Sequence, residues 1–342
     1  RIDKIVQGLG EVHPTFMCGA PRIFEKVRAA VMTGNTGLKG KIARWAFSVG
    51  YKSIDDRLAG RPLKGALAMQ YKLADKLVFS KLKERLGGQM KFMISGSAKL
   101  SPQIQKWFYG AGILIVEGYG ATETSAIACV DLPADPHFGT VGPPIPGLDA
   151  KLADDGELLL RGPNIFQGYY KNPEATAATL ADGWLHTGDL AHIDDDGFIR
   201  IVGRKKDIII TSGGKNVTPA NLENGIKQCR WVSQAVVLGD RRPYLVALVA
   251  LDPDELAAFA AEHGLEPDAV PASPQMRAAV QEAVDAVNAT VGPVEQVKYF
   301  EILPHDLSQE TGELTPTLKV KRNVVAEKFA PLVDAIYARA GE

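Results

Sequence analysis

The sequence predicts an α/β large domain, a parallel sheet completed by a β-rich subdomain, followed by a smaller α+β C-terminal domain. Three observations carry that expectation. Between Lys91 and Val116, two apolar runs of strand length alternate with loops and one capped helix, the texture of a parallel sheet that binds ligands at its strand C-terminal ends. Further on, Asp155-Gly156 and Asp196-Gly197 each interrupt apolar alternation, a strong short-range hairpin signal. After Lys206 the pattern becomes mixed helix and antiparallel strand.

Taken in order, the segment up to Leu86 reads as helical. Leu67, Tyr71, Ala74, Leu77, Val78, Leu82 and Leu86 recur at helical spacing, and Gly87-Gly88 stops them. Lys91–Ile94 reads as a short buried strand leading into the loop Ser95-Gly96-Ser97-Ala98. Ser101-Pro102 supplies an N-cap hydroxyl and a proline at the first helical position, opening a helix that presents Ile104, Trp107 and Phe108. Gly112–Val116 is a second strand, read as ending before the loop Glu117-Gly118-Tyr119-Gly120. The two hairpins make a β-rich subdomain that ends near Gly203. Thr218-Pro219 opens a helix, Ala235–Leu238 and Tyr244–Leu251 form an antiparallel pair, and Met276, Val280, Ala283, Val284, Val287 and Val291 mark an amphipathic helix.

A chain of 342 residues is long enough for more than one domain. Thirty-nine Lys+Arg against forty Asp+Glu leave a formal net charge of −1, which argues against a nucleic-acid binder, whose footprint would be strongly basic. Cys18, Cys129 and Cys229 lie far apart and match neither a disulfide framework nor a metal motif, so a cytoplasmic, reducing setting is expected. No apolar run approaches the ~20 residues of a membrane span. Arg1-Ile2-Asp3-Lys4 shows no initiator Met and no signal-peptide core, and reads as the interior of a longer chain.

Five segments carry chemistry. In Tyr119-Gly120-Ala121-Thr122-Glu123-Thr124 the glycine permits close backbone approach, the hydroxyl and carboxylate suit a phosphate and its Mg²⁺, and Tyr119 can stack on a base. Alone, a glycine turn with a capping threonine accounts for it equally well. In Gly183-Trp184-Leu185-His186-Thr187-Gly188-Asp189, the acid after a glycine turn can accept both hydroxyls of a ribose; a plain surface Asp is the alternative. Gly203-Arg204-Lys205-Lys206-Asp207 and Thr211-Ser212-Gly213-Gly214-Lys215-Asn216 set a basic cluster and a glycine pair at the change of texture. Gly312 to Arg322 places Lys319, Lys321 and Arg322 before the last helix.

Together, in this order and spacing, these segments resemble the adenylate-forming superfamily of acyl-CoA synthetases, adenylation domains and luciferases, over essentially the whole chain. Within it the chain is similar to the long-chain fatty acyl-CoA synthetases, on Pro14-Thr15-Phe16, Pro21-Arg22-Ile23-Phe24-Glu25-Lys26-Val27, Gly214-Lys215-Asn216-Val217-Thr218-Pro219 and Thr315-Pro316-Thr317-Leu318-Lys319 with Lys321-Arg322. Carrier-loading adenylation domains usually carry Gly-Lys where this chain has Leu318-Lys319.

The resemblance implies an adenylate-binding domain over residues 1–140, a β-rich subdomain over 141–204, a hinge at 205–206 and a mobile domain over 207–342. It implies that Gly96, Ser97 and Ala98 line the adenine slot, with Tyr119 stacked on the ring and Gly120 beside it. Thr122 would hold the α-phosphate, Glu123 would coordinate Mg²⁺, and Asp189 and Arg204 would bind the ribose. Lys319 would be the adenylation lysine, Lys206 the pivot, and Gly213 and Gly214 the border of the pantetheine channel. Its expected reaction is ATP-dependent activation of a long-chain fatty acid to an acyl-adenylate, then to the coenzyme A thioester. The implied partners are fatty acid, ATP with Mg²⁺, and coenzyme A, without nucleic acid or a transmembrane segment and with peripheral membrane contact left open. Loading of a carrier protein, or non-enzymatic adenylate binding, are the competing expectations.

The chain departs from the family at one motif. The Thr/Ser/Gly-rich phosphate loop, of the form TSGTTGxPKG, is not among these residues. Thr33-Gly34-Asn35-Thr36-Gly37-Leu38-Lys39-Gly40 mimics it but follows the Pro21–Phe24 segment, between helical patterns, and is rejected. The chain is therefore expected to be the C-terminal part of a longer synthetase, with little activity alone. His186, inside the ribose segment, is expected to be structural.

Overall fold

The structure, a computed structural model, describes residues 2–33, 37–315 and 319–339. By contact density it divides into two units, Arg1–Ile201 and Val202–Glu342.

In the first unit, β1 (Phe16–Gly19), β2 (Phe92–Ser95) and β3 (Ile115–Tyr119) lie parallel in that order, with β4 (Cys129–Val130) antiparallel to β3. Helices Pro21–Thr33, Gly37–Lys52 and Gly65–Ala74 fill the long β1–β2 crossover, and Pro102–Gly110 connects β2 to β3. The latter starts as its sequence dictates: Ser101 Oγ accepts the Gln103 amide and Pro102 occupies the first turn. Its Ile104, Trp107 and Phe108 pack with Phe24, Phe47 and Phe79 under the sheet. The Phe47 and Trp107 rings stack at 4.1 Å between centroids. Burial of such side chains contributes ~1.5–3 kcal/mol each.

Three expectations are corrected here. Phe16–Gly19, inside the stretch read as helical, is a strand; four residues beside Pro14 and the Pro21 helix start are too few to show periodicity, and pairing with β2 decides it. The strand read at Gly112–Val116 spans Ile115–Tyr119 instead, because Gly112–Leu114 finish the turn after the helix. Glu117-Gly118-Tyr119 is therefore strand, not loop. The helical pattern from Gly65 is interrupted by a π-helical segment over Asp75–Phe79, which rotates the apolar face before Ser80–Arg85.

A five-stranded sheet follows, its last strand running past the division at Ile201–Val202. It comprises β5 (Asp149–Leu152), β6 (Glu157–Arg161), β7 (Leu180–Ala181), β8 (Trp184–Ile193) and β9 (Ile199–Arg204), in the order β5-β6-β8-β7, with β9 also on β8. The turns at Asp155-Gly156 and Asp196-Gly197 join β5 to β6 and β8 to β9, as the sequence predicts.

The second unit starts with a small hairpin of β10 (Ile209–Ile210) and β11 (Asn216–Val217). Its main sheet orders β12 (Val232–Leu238), β13 (Leu245–Leu251) and β14 (Val297–Ile302), with β12–β13 antiparallel and β13–β14 parallel. The pair read from Ala235 starts three residues earlier, at Val232. Strand β13 is buried along its whole length, which explains its unbroken apolar run. Leu245, Ala247, Val249 and Leu251 face a core with Leu222, Ile226, Met276, Val280 and Val284. Val246, Leu248 and Ala250 face another with Val325, Phe329 and Ile336.

Candidate active site

Two loops leave neighbouring parallel strands at the same end of the sheet. After β2, the Gly96 amide donates to Gly19 O (3.1 Å) and extends the β1–β2 ladder by one bond. Ser97 then takes a left-handed φ of 70°, unusual for a residue with a side chain and common where backbone is shaped for ligand. The loop closes where the Leu100 amide donates to Glu117 Oε2 (2.9 Å). Glu117, 2% exposed, is pushed up to about 8 by burial, against the pull of the Leu100 amide and the Lys99 charge.

After β3, the chain reverses through residues 120–128 and returns as β4. Gly120 is compulsory: a Cβ there would lie 1.7 Å from Ala126 O. Thr124, fully buried, ties the reversal together, its Oγ1 accepting the Ala121 amide (2.9 Å) and donating to Ala121 O (3.0 Å). Ser125 and Ala126 both sit at positive φ. Thr122 and Glu123 occupy the 3₁₀ turn at the tip, with the Thr122 side chain exposed. Glu123 Oε1 accepts from Tyr169 Oη (2.6 Å), and its carbonyl accepts the Phe166 amide (2.9 Å). Asn164 Nδ2 donates to Thr124 O (3.1 Å) and Ile127 O (3.2 Å), so the 163–169 segment braces this loop.

A β-bulge brings in the third component. The β6–β8 register shifts between Glu157 and Leu159, and Gly188 takes φ 69° at the irregularity. Such a bulge re-aims a side chain. The Gly188 amide donates to buried Glu157 Oε1 (2.7 Å), and the Asp189 amide donates to Thr187 Oγ1 (3.1 Å). Asp189, 5% exposed, thereby accepts from Tyr119 Oη (2.6 Å). Burial first, and then the Asp189 charge, push the Tyr119 hydroxyl well above the usual phenol range, so it stays a donor. His186 Nδ1 stands 3.4 Å from Glu157 Oε2, behind this arrangement.

The first unit thus brings Gly96, Ser97, Ala98, Tyr119, Gly120, Thr122, Glu123 and Asp189 to strand ends and loops around one end of the sheet and its adjoining bulge. Such a set offers a flat aromatic, backbone free of Cβ, and an acid able to accept hydroxyls. The sequence reading missed Glu117, Glu157, Asn164 and Tyr169. A glutamate closing the apolar run Ile113–Val116 was a usable signal for Glu117; the others depend on tertiary contact alone.

The remaining named residues lie in the second unit. Arg204 ends β9, and Lys206 is exposed in the 3₁₀ turn Lys205–Asp207. Gly213 and Gly214 form the tip of the β10–β11 hairpin, closed by Gly214 N to Thr211 O (2.8 Å). Lys319 is exposed; its carbonyl accepts the Thr315 amide (2.8 Å) and its amide donates to Thr315 Oγ1 (3.0 Å). Beside it Leu314 and Val320 form a bridge and the Lys321 amide donates to Glu313 O (2.7 Å). Pro316, Thr317 and Leu318, three of the residues that support the long-chain resemblance, fall outside the described residues, as do Gly34, Asn35 and Thr36 of the rejected phosphate-loop mimic. Among the described residues no helix is long and apolar enough to cross a membrane.

Known proteins resemble this chain in sequence and in fold. Residues 2–170 match the family model of the AMP-binding enzyme and residues 206–341 that of the AMP-binding enzyme C-terminal domain. The long-chain-fatty-acid–CoA ligase FadD15 of Mycobacterium bovis is 42% identical over 98% of this chain, and the peroxisomal long chain acyl-CoA synthetase 7 of Arabidopsis thaliana is 33% identical over 98%. The chain spans 57% of the first protein's length and 50% of the second's. In structure it is similar to the adenylation domain of a carboxylate reductase from Mycobacterium chelonae, with TM-score 0.70, 24% identity, and 98% of this chain and 48% of that one covered. The corresponding domain from Segniliparus rugosus, solved with AMP and a co-purified carboxylic acid, gives TM-score 0.68 at 22% identity over 99% of this chain and 49% of that one. Those two likenesses concern the fold. With both family models matched in order along its length, the chain belongs to the AMP-binding enzymes of the adenylate-forming superfamily.

Proposed function

We propose that the protein containing this chain activates a long-chain fatty acid with ATP and transfers the acyl group to coenzyme A. The observation that carries the reading is the Tyr119–Asp189 hydrogen bond of 2.6 Å beside the Gly120 loop. It pairs a base-stacking ring with a buried acid suited to ribose hydroxyls. The 42% identity to a long-chain-fatty-acid–CoA ligase supports the substrate class.

In the first half-reaction a carboxylate oxygen of the fatty acid attacks the α-phosphorus of ATP, the bond to the bridging oxygen breaks, and pyrophosphate leaves. In the second, the coenzyme A thiolate attacks the acyl carbon and AMP departs. Catalysis of this kind is mostly in-line positioning and charge neutralisation. Residues 96–98 wall the adenine, Tyr119 stacks on it, and Asp189 with Arg204 holds the ribose. Thr122 donates to the α-phosphate. Lys319 places a compact ammonium between the carboxylate and the nucleotide oxygens. Gly213 and Gly214 border the pantetheine path, and Lys206 is the pivot between half-reactions.

Glu123 fits Mg²⁺: it offers hard carboxylate oxygens at an exposed turn beside the Thr122 hydroxyl. Among the described residues no group of three His, Cys, Asp or Glu forms a cage, so phosphates and water would complete the shell. When bound, the ion would neutralise phosphate charge. The free thiols of Cys18, Cys129 and Cys229 support a cytoplasmic setting.

The test is calorimetry of AMP with the 342-residue chain, alongside fatty acid-dependent exchange of pyrophosphate into ATP by the full-length protein. Saturable AMP binding and exchange that requires a long-chain fatty acid are expected. Absence of AMP binding, or AMP release that needs a carrier protein rather than coenzyme A, would overturn the reading.

A further inference from the structure

A buried acid beside the nucleotide loops has no part in the chemistry just described. Glu117 and Ser95 are register partners on β3 and β2, so their side chains leave the same face of adjacent parallel strands, ~4.8 Å apart. That face also carries Met93 and Ile115, which pack into the aromatic core below. Ser95 is fully buried and Glu117 is 2% exposed. Ser95 Oγ and Glu117 Oε1 find no hydrogen-bond partner among the described residues. An acid is a costly occupant for the top of an apolar core, and methionine or leucine would fill the volume without a desolvation penalty.

The hydrogen bond it accepts from the Leu100 amide explains its place. The Gly96–Leu100 loop is anchored by backbone at its start, Gly96 N to Gly19 O (3.1 Å), and by a side chain at its end, Leu100 N to Glu117 Oε2 (2.9 Å). Between the anchors lie Ser97, at positive φ, and Ala98. Glu117 is two residues from Tyr119 on the same strand, and its own carbonyl accepts the Asp131 amide (2.8 Å). One residue therefore fixes the end of the first loop relative to the strand that presents the aromatic ring.

We propose that Glu117 is a positioning residue for nucleotide binding, setting the Gly96–Leu100 loop against Tyr119 through the Leu100 amide. The inference rests on the nucleotide reading of the site. In its neutral form the carboxyl accepts Leu100 N with one oxygen and has a proton to donate with the other, and Ser95 Oγ is an acceptor one strand away. Burial favours that form and outweighs the Leu100 amide, Lys99 and Arg200, which pull towards the anion, while Asp131 opposes them. An anionic nucleotide bound nearby adds to the burial effect. Binding is then tighter with the proton on and weakens as pH rises through about 8.

Three forms of the chain test this: unsubstituted, Glu117→Gln and Glu117→Met. Gln keeps an acceptor for Leu100 and cannot ionise; Met fills the volume and offers no acceptor, so the core stays filled. AMP affinity should fall about tenfold in Glu117→Met, the scale of one lost buried hydrogen bond, and stay within about twofold in Glu117→Gln. The unsubstituted chain should lose affinity above pH 8 while Glu117→Gln stays flat. Hydrogen exchange at residues 96–100, read without nucleotide, should quicken in Glu117→Met alone. Unchanged AMP affinity in Glu117→Met overturns the proposal, as does a Glu117→Gln variant as weak as Glu117→Met. If the unsubstituted chain binds no AMP, it is the nucleotide reading that fails. The exchange arm then judges Glu117 separately, and unchanged exchange in Glu117→Met rules out the clamp.

Discussion

Gly120 and Tyr119 show how narrowly single residues set this site. At Gly120 a methyl group would enter the space of the Ala126 carbonyl, 1.7 Å from where its Cβ would stand, and that obstacle is backbone. Gly120→Ala should therefore displace the 120–128 reversal instead of unfolding the unit, since the Thr124 bonds within it are local. AMP affinity should fall at least tenfold while far-UV circular dichroism stays that of the parent; an affinity within twofold would mean the loop does not touch nucleotide. Tyr119→Phe keeps the ring and deletes the hydroxyl, leaving Asp189 without that donor in a nearly closed environment. Removing one partner of a buried charged hydrogen bond costs about 1–3 kcal/mol, so the midpoint of urea unfolding should drop measurably. If the midpoint does not move, the 2.6 Å contact has no energetic weight.

A buried acid holds the backbone beside Lys319. Glu313, fully buried, accepts from Lys328 Nζ (2.5 Å), from Thr311 Oγ1 and from the Ser308 amide (3.3 Å), and its carbonyl accepts the Lys321 amide. Burial alone would raise its carboxyl, but these donors prevail and bring it to about 2, against the ordinary 4.5. The sign follows from linkage. The native state holds the ionised form more tightly than the unfolded chain does, so the stabilisation is complete above 4.5 and is lost as pH falls from there towards 2. Acid unfolding followed between these limits should show a steeper slope in the unsubstituted chain than in Glu313→Gln; identical slopes would remove Glu313 from the account. In the full-length protein, Lys319→Ala should lower adenylate formation about 10²-fold or more, the scale of losing one transition-state donor, while thioester formation from supplied acyl-adenylate suffers far less. Equal losses in both half-reactions would make Lys319 structural.

At the scale of the whole molecule, the order of motifs was legible where local chemistry dictates local shape. The Asp-Gly turns and the Ser101-Pro102 helix start follow from backbone preferences of a few residues. Strand β1 was hidden because its four residues acquire their identity only from β2. Tyr169 and Glu157 were hidden because they act across 46 and 31 residues of sequence, on Glu123 and Gly188. Lys206 poses the question that joins the scales. It stands in a short turn after β9, close to the division of the chain at Ile201–Val202, with its side chain exposed. If the second unit turns between half-reactions, a residue or two must absorb the change in φ and ψ. Proline fixes φ near −65° and removes the amide donor, so Lys206→Pro separates a pivot from a solvated surface lysine. A surface lysine predicts a modest loss shared by both half-reactions. A pivot predicts that the full-length protein still releases pyrophosphate in a single turnover at nearly the normal rate while transfer to coenzyme A collapses. Rapid-quench measurement of the two steps decides between them, and thioester formation that survives the proline would place the pivot elsewhere.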